Sequence, residues 1–211
     1  MLLSGGIDSA TALYLLKKSR PVRALTFEYN GIAASELRSA RAIASRAGVL
    51  EHRVVRLPDL REAGDIPGFR PEGLPPTYIP LRNSIFYSFA ASYAEETGAS
   101  AIAGGHNKDD MRVFMDVSPE FFGALQEAFV CGSRVLRRNR LKVLRPLRGK
   151  TKPEVIRLAD SLDVPLELTW SCHRDSPRHC GACDGCLSRR RAFAQAGVRD
   201  PLTLTELEKI T

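Results

Sequence analysis

The chain has 211 residues, of which 44% are hydrophobic, which is enough for one domain with a normal core and a small appendage. No apolar run approaches the ~20 residues that span a bilayer, and the opening lacks the basic region and long apolar stretch of a signal peptide, so we expect a cytoplasmic protein. Lysine and arginine outnumber aspartate and glutamate by 31 to 24, for a net charge of +7, which suits nucleic acid, ATP or anionic metabolites equally.

An apolar start runs directly into Ser4-Gly5-Gly6-Ile7-Asp8-Ser9 and then into a helical pattern. Two glycines allow backbone conformations in which successive N–H groups point at an anion, and the N-terminus of the following helix favours negative charge. Asp8 either holds the turn or binds a metal. The loop therefore predicts a phosphate site that is not of the Walker type, the alternative being a glycine turn capped by Asp8 or Ser9.

Short apolar runs then alternate with segments of helical period. Strands are predicted at Val22–Phe27, His52–Leu57, Ser100–Gly104 and Leu141–Leu144. Helices are predicted at Ser35–Ala47, Asn83–Thr97, Pro119–Cys131 and Thr151–Leu162, the last with Thr151 as N-cap. In the second of these helices the residues expected to face inward are Ile85, Phe86, Phe89, Ala90 and Tyr93.

This order predicts an α/β, Rossmann-like parallel sheet with helices on both faces. Ligands bind such sheets at the carboxyl ends of the strands, where the first loop and the turn after Gly105 would meet. Residues 58–80 are rich in glycine and proline and predict a long loop. We divide the chain into a nucleotide-binding domain, 1–168, and a zinc-binding helical appendage, 169–211.

Four of the five cysteines, Cys172, Cys180, Cys183 and Cys186, have the spacing C-x7-C-x2-C-x2-C. Cys-x-x-Cys turns bring thiolates onto one ion, and four sulfurs satisfy tetrahedral zinc, so structural zinc is favoured over an iron–sulfur cluster or disulfides. His173 and His179 are expected to be surface residues, and Cys131 a small buried one.

Basic residues cluster at 134–148 and at 189–191. No aromatic residues are interleaved with these arginines, as single-strand binding requires, so we expect solvated surfaces and keep nucleic acid as a secondary possibility.

The opening loop resembles that of the pyrophosphatase-loop ATPases, which hold ATP and release pyrophosphate on adenylating an oxygen. Further blocks resemble one branch of that group, the 7-cyano-7-deazaguanine synthases or QueC family. The block from Gly73 to Asn83 is similar to the family's Pro-x-Thr-Tyr/Phe-Val-Pro-Gly-Arg-Asn, but has Leu81 in place of the glycine. The block from Gly105 to Asp110 is similar to its Gly-x-Asn-x-x-Asp. The other matching blocks are Asp116, Pro146-Leu147 with Lys152 and Glu154, and Thr169-Trp170-Ser171-Cys172 with the later cysteines.

The resemblance implies that ATP activates the carboxylate of 7-carboxy-7-deazaguanine, that ammonia displaces AMP to give an amide, and that a second activation dehydrates the amide to a nitrile. The cofactors implied are ATP, Mg²⁺ and Zn²⁺, and a homodimer is expected. Candidate catalytic residues are Asp8, Arg82, Asp110 and Lys152, with Asp8, Asp109 or Asp110 on the Mg²⁺. Candidate nucleotide-binding residues are Ser4, Gly5, Gly6, Ile7, Asp8, Ser9, Phe27, Asn83, Gly105 and Lys152. Candidate substrate-binding residues are Tyr29, Arg82, Asn107 and Asp116, and candidate metal ligands are Cys172, Cys180, Cys183 and Cys186.

The chain departs from the family at two places. The family's Tyr-Gly-Gln-Arg-His-x-x-Glu is Tyr29 to Glu36 here without Gln-Arg-His, and its Cys-Arg after the Asp is Val117-Ser118. The 106–110 run also resembles the Gly-His-x-x-Asp-Asp turn of tRNA-thiolating and lysidine-forming relatives. Alternatives are therefore a paralogue adenylating another small-molecule carboxylate or a protein terminus, a tRNA-modifying enzyme, or a zinc-stabilised nucleic-acid-binding module without catalysis.

Overall fold

The computed structural model of the protein describes residues 1–74 and 78–202. Its strands are β1 (Arg23–Tyr29), β2 (Glu51–Leu57), β3 (Ala101–Ala103) and β4 (Lys142–Leu144). β1 pairs in parallel with β2, and β3 pairs in parallel with β4. Leu2 connects the two pairs, because it forms a parallel bridge with Leu25 while its backbone N–H donates to the Ala103 carbonyl at 2.8 Å. The residues before the opening loop therefore lie at the centre of the sheet, between β1 and β3.

Seven α-helices surround the strands in the described residues. They are α1 (Ile7–Lys17), α2 (Ala34–Ala47), α3 (Arg82–Thr97), α4 (Pro119–Gly132), α5 (Arg134–Arg138), α6 (Lys152–Ser161) and α7 (Asp184–Ala196). Several ends follow the sequence signals: α2 ends at Gly48, which has φ +65°, and α6 begins after Thr151, whose N–H donates to Glu154. None of these helices is long and apolar enough to cross a bilayer.

Two hydrophobic cores lie on opposite faces of the strands. One contains residues of α1, α2, α6 and α7, and the other contains residues of α3, α4 and α5. Within β1, Ala24 belongs to the first core, whereas Leu25 and Phe27 belong to the second. The predicted fold class, α/β with parallel strands covered on both faces, is confirmed.

The cysteine-containing C-terminal segment packs on the rest of the chain. Phe193 of α7 belongs to the same core as α1 and α6. Arg189, expected on a solvated surface, is instead buried: it makes a two-pronged ion pair with Asp200 at 2.7 and 2.8 Å and donates to Thr169 Oγ1. The surface prediction was wrong for Arg189 because its partners come from outside α7. The division into a domain at 1–168 and an appendage at 169–211 stays a prediction. Residues 203–211 of the appendage lie outside the described residues.

Two predicted burials are also corrected. Phe89 is 43% exposed, and Tyr87 is fully buried in its place. α3 carries aromatic residues around much of its circumference, so periodicity alone did not fix its rotation. Cys131 is exposed near the end of α4, a helix that fully buries only Phe122.

Candidate active site

The opening loop is organised by its two serines. The Ser4 N–H donates to Ser9 Oγ at 3.2 Å, the Gly6 N–H donates to Ser4 Oγ at 3.3 Å, and Ser9 Oγ donates to the Gly6 carbonyl at 3.0 Å. α1 begins immediately afterwards at Ile7. The loop thus places the positive end of a helix beside two hydroxyls, an arrangement suited to an anion.

Gly5 is required for this loop geometry. Its φ is +90°, and a Cβ at this position would lie 2.6 Å from the Glu36 carbonyl oxygen and 2.8 Å from the Ala40 nitrogen. The Gly5 carbonyl accepts a 2.9 Å hydrogen bond from the Trp170 N–H. The loop is therefore held by α2 on one side and by the segment that leads to the cysteines on the other.

The turn after β3 packs directly on the first turn of α1. A Cβ on Gly105 would lie 2.7 Å from the Ser9 nitrogen, so only glycine allows this approach. Asn107 is buried, and its Oδ1 accepts the N–H groups of Asp109 and Asp110. Asp109 Oδ2 accepts the Lys152 N–H at 2.9 Å at the start of α6. Asn107 therefore shapes this turn, and Asp109 ties it to α6.

Three charged side chains meet where these segments converge. Lys152 Nζ forms an ion pair with Asp8 Oδ2, while Asp8 Oδ1 is buried without a hydrogen-bond partner among the described residues. Burial, helped by the neighbouring charge of Asp8, raises the pKa of Asp110 to about 6. The unpartnered carboxylate oxygen of Asp8, together with the neighbouring buried carboxylate of Asp110, is a donor set that fits a divalent cation.

Asp8 and Asp110 line a cavity of about 310 Å³. Ser4, Asp8, Ser9, Gly105 and Asp110 lie on one side of it. On another side lie Phe27 and Phe86, whose rings stack with centroids 4.1 Å apart.

A second cavity, of about 350 Å³, adjoins the first. The two share Tyr29, Ile32, Glu36, Arg82 and Phe114 as wall residues. Burial raises the pKa of Glu36 to about 7 despite the nearby Arg82, and burial raises the pKa of Tyr29 to about 12. Arg82 is thus a cation between the two spaces, facing a carboxyl that titrates near neutrality.

The entrance to α3 is fixed by Asn83 and Asp116. Asn83 is buried, and its Nδ2 donates to the Asp116 carbonyl at 3.1 Å. Asp116 lines the second cavity. Leu81, which precedes the helix, has φ +50°, a left-handed conformation that glycine adopts without strain. The preceding residues Pro75–Thr77 of the motif block lie outside the described residues.

The four predicted metal ligands converge. The sulfurs of Cys172, Cys180, Cys183 and Cys186 all lie within 4.8 Å of one another, with separations of 3.9 Å for Cys180–Cys186 and 3.8 Å for Cys172–Cys183. Four Zn–S bonds of ~2.3 Å in a tetrahedron have S···S edges of ~3.8 Å, so the cluster fits a tetrahedral metal ion. Backbone N–H groups of Ala182 and Cys183 lower the pKa of Cys180 to about 6, which favours the ligating thiolate.

The histidines beside the cluster differ from one another. His173 is exposed, as expected, but it also lines the second cavity. His179 is half-buried, its ring centroid lies 4.2 Å from that of Trp170, and its Nε2 accepts the Ser171 N–H. Burial lowers the pKa of His179 to about 4. The surface expectation was therefore wrong for His179, which packs against the segment leading to the metal ligands.

Sequence reasoning missed several cavity residues. Besides Glu36, these are Glu62, Tyr78, His106, Phe114, Trp170 and His173. Glu36, Tyr78, His106 and Trp170 stand inside motif blocks and so carried a signal, whereas the others are brought to the cavities only by folding. Of the predicted substrate-binding residues, Asn107 lines neither of the two cavities, and its side-chain oxygen accepts hydrogen bonds within its own turn.

Comparison with known proteins supports one family. A family model described as "Queuosine biosynthesis protein QueC" matches residues 1–197. The 7-cyano-7-deazaguanine synthase of Nostoc punctiforme is 39% identical over 218 residues, covering 96% of this chain and 97% of its own. The enzymes of the same name from Trichodesmium erythraeum and Thermoplasma acidophilum are 40% and 38% identical, cover 96% of this chain, and are covered over 98% and 90% of their own lengths.

A solved structure of NMN synthetase from Francisella tularensis aligns with 94% of this chain and 76% of its own, with a TM-score of 0.46 and 17% identity. The family match, by contrast, extends over almost the entire sequence, including the opening loop and all four clustered cysteines. The chain belongs to the QueC family of queuosine biosynthesis proteins.

Proposed function

We propose that the protein uses ATP to convert 7-carboxy-7-deazaguanine and ammonia into 7-cyano-7-deazaguanine, through an acyl adenylate and an amide. The observation that carries the proposal is the pair of adjoining cavities, one against the anion loop and one beyond it, with Arg82 in the wall of both. A carboxylate held by Arg82 would lie between a nucleotide and the space that accepts the remainder of the substrate.

The first cavity would take the nucleotide. The N–H groups at the start of α1 and the hydroxyls of Ser4 and Ser9 would hold phosphate oxygens. Gly105 keeps the neighbouring turn close to these groups. The stacked rings of Phe27 and Phe86 give an apolar, planar wall suited to a nucleobase.

Asp8 and Asp110 would hold Mg²⁺, which when bound offsets phosphate charge. Asp110 lines the cavity, whereas Asp109 is engaged at the start of α6, so the pair Asp8 and Asp110 is favoured over Asp109. Lys152, held by Asp8, would neutralise charge on the departing pyrophosphate.

The chemistry needs no nucleophilic side chain. A substrate carboxylate oxygen attacks the α-phosphorus. The bond between this phosphorus and the oxygen that bridges to the β-phosphate breaks, which releases pyrophosphate. Ammonia then attacks the carbonyl carbon, loses a proton, and AMP leaves with the electron pair of the broken C–O bond. A second ATP activates the amide oxygen in the same way, and loss of AMP and protons yields the nitrile. Arg82 would keep the reacting oxygen aimed at the phosphate through these steps.

The four cysteines would hold structural zinc, since four thiolates close a tetrahedral site. The metal would order the segment containing Trp170 and Ser171, which borders the second cavity.

The test is to incubate the protein with Mg-ATP, ammonium and 7-carboxy-7-deazaguanine and to follow AMP, pyrophosphate, amide and nitrile by mass spectrometry. Lys152→Ala is expected to lose most of the turnover. Lys108→Ala, an exposed lysine of the neighbouring turn, serves as the matched control and should retain it. Absence of any pyrophosphate release with this acid would refute the proposal.

One observation favours a second candidate, a paralogue with the same adenylating chemistry on another carboxylate. Gly31, Ile32 and Ala33, which stand where the family has Gln-Arg-His, all line the second cavity. These three positions therefore lack the polar side chains that the family has there. A pocket without those hydrogen-bond donors selects less strongly for a substrate whose polar groups they would bind. Pyrophosphate release with another acid, and none with 7-carboxy-7-deazaguanine, would identify this case.

A further inference from the structure

One carboxyl group that the mechanism above leaves unused lies where the two cavities meet. Among the described residues, three titratable side chains line both cavities: Tyr29, Glu36 and Arg82. Glu36 stands in the first turn of α2, and its carbonyl oxygen would lie only 2.6 Å from a Cβ on Gly5. The backbone of Glu36 therefore packs directly on the opening loop, beside the predicted phosphate site.

The carboxylate of Glu36 is available to a bound molecule. Its ionisation is governed by burial and by the charges of Arg82 and Glu62, and it makes no hydrogen bond or ion pair in the part of the chain that the structure describes. Its oxygens are not among the enclosed polar atoms that lack a partner, so a small molecule can reach them from the cavities.

The three side chains of the shared wall form one electrostatic group. The positive charge of Arg82 favours the ionised form of Glu36, and the charges of Arg82 and Glu36 act in opposite directions on the Tyr29 hydroxyl. Glu62, from the loop before α3, also faces Glu36, and His173 faces Glu62. A substrate carboxylate held by Arg82 would therefore lie close to the Glu36 carboxyl.

Only Glu36 among these three can take up a proton near neutral pH. Burial raises the pKa of Tyr29 to about 12, so its hydroxyl keeps its proton, and the guanidinium of Arg82 has donors but no acceptor. Burial raises the pKa of Glu36 to about 7, which makes its carboxylate a stronger base than that of an ordinary glutamate. Amide formation needs such an acceptor, because the nitrogen of ammonia becomes cationic when its lone pair bonds to the carbonyl carbon.

We propose that Glu36 is the general base of nitrogen transfer. This proposal rests on the proposed function, which brings ammonia to an acyl adenylate beside Arg82. As the C–N bond forms, the Glu36 carboxylate takes one N–H proton, and AMP leaves with the electron pair of the C–O bond. After the second ATP has activated the amide oxygen, the nitrogen loses its two protons in succession to the same carboxylate, which passes each to solvent. The electron pair of the last N–H bond completes the triple bond as AMP leaves.

The test separates adenylation from nitrogen transfer. Exchange of labelled pyrophosphate into ATP with the acid, in the absence of ammonia, reports adenylation alone. Single-turnover amide formation after addition of ammonium reports the step assigned to Glu36. Glu36→Gln keeps the size of the side chain but not its basicity, and it is expected to slow amide formation about 10²- to 10⁴-fold with little change in exchange. Glu36→Asp, which keeps the carboxylate, should recover part of the loss.

The pH dependence is a readout that a structural role would not change. At a constant concentration of neutral ammonia, amide formation by the wild type should rise with pH through about 7, as the Glu36 carboxyl loses its proton. Glu36→Gln should lack this rise. Glu28→Gln is the matched control, because Glu28 pairs with Arg56 at 3.1 Å and lines neither cavity, and it should keep the wild-type rate and profile.

The outcomes distinguish the base from the reaction as a whole. Amide formation by Glu36→Gln at the wild-type rate, or with the same rise through pH 7, would overturn the assignment. A loss of pyrophosphate exchange that parallels the loss of amide formation would also overturn it and would assign Glu36 to substrate binding. Absence of pyrophosphate exchange in the wild-type protein would instead overturn the proposed function.

Discussion

Neutralising Asp110 should stabilise the protein when Mg²⁺ is absent. Asp110 is mostly buried near Asp8, and its pKa is raised from 3.8 to about 6, because burial and the neighbouring carboxylate penalise its charge. The folded state then binds more protons than the unfolded state between about pH 4 and 6. Stability of the wild type is therefore lost as pH rises through this window, and Asp110→Asn removes that loss.

The size of the stability gain in Asp110→Asn follows from the pKa shift of Asp110. About two pKa units correspond to ~3 kcal/mol at pH 7, an upper bound that partial solvation reduces to ~1.5–3 kcal/mol. For a chain of this length, that gain would raise the melting temperature by roughly 3–12 °C. Asn keeps an oxygen that can accept the Asn107 N–H, which Asp110 Oδ2 accepts at 3.0 Å, so the turn geometry should survive.

Thermal unfolding of both proteins from pH 4 to pH 8, without Mg²⁺ or nucleotide, is the assay. The two curves should coincide near pH 4 and separate up to about pH 6, with no further separation above it. Asp109→Asn is the control, and it should lower the melting temperature because it weakens an acceptor at the start of α6. A stability gain in Asp110→Asn that is equal at pH 4 and pH 8, or a loss at pH 8, would refute the electrostatic reasoning.

Four further substitutions test the local geometry by urea denaturation. Leu81→Gly should stabilise by ~0.5–1 kcal/mol, because it relieves a left-handed residue that is 61% exposed; a loss of stability would contradict this. Gly5→Ala should cost more than ~2 kcal/mol, whereas Gly6→Ala, whose Cβ meets atoms only at 3.5 Å and beyond, should be mild; equal costs would argue against the collision. Arg189→Ala should cost ~3–5 kcal/mol by breaking the ion pair between a guanidinium that is 4% exposed and a carboxylate that is 10% exposed, and a cost below ~1 kcal/mol would refute that.

The sequence predicted elements well wherever a local signal existed. α2 and α6 have one apolar face and clear end signals, and the structure places their bounds within a residue or so of prediction. The opening loop and the cysteine cluster were visible because their chemistry needs particular residues at short spacing. A homodimer and a cytoplasmic location stay predictions, which light scattering and cell fractionation would test.

What escaped prediction depends on contacts between distant segments. Glu62 reaches the second cavity from a loop without periodicity, and no local rule places it beside Arg82. Arg189 stands in a run of three arginines, and only the fold distinguishes the one paired with Asp200 from its neighbours. The rotation of α3 was likewise undetermined, because apolar residues on nearly every side satisfy more than one orientation.

The hydrogen bond from the Trp170 backbone N–H to the Gly5 carbonyl joins the cysteine-bearing segment to the opening loop, only two residues from Cys172. Two ligands that each rigidify the same segment bind more tightly together than separately, and each raises the affinity for the other by the same factor. Under the proposed function, chelating the metal should therefore weaken ATP binding, and saturating ATP should raise the affinity for the metal by the same factor.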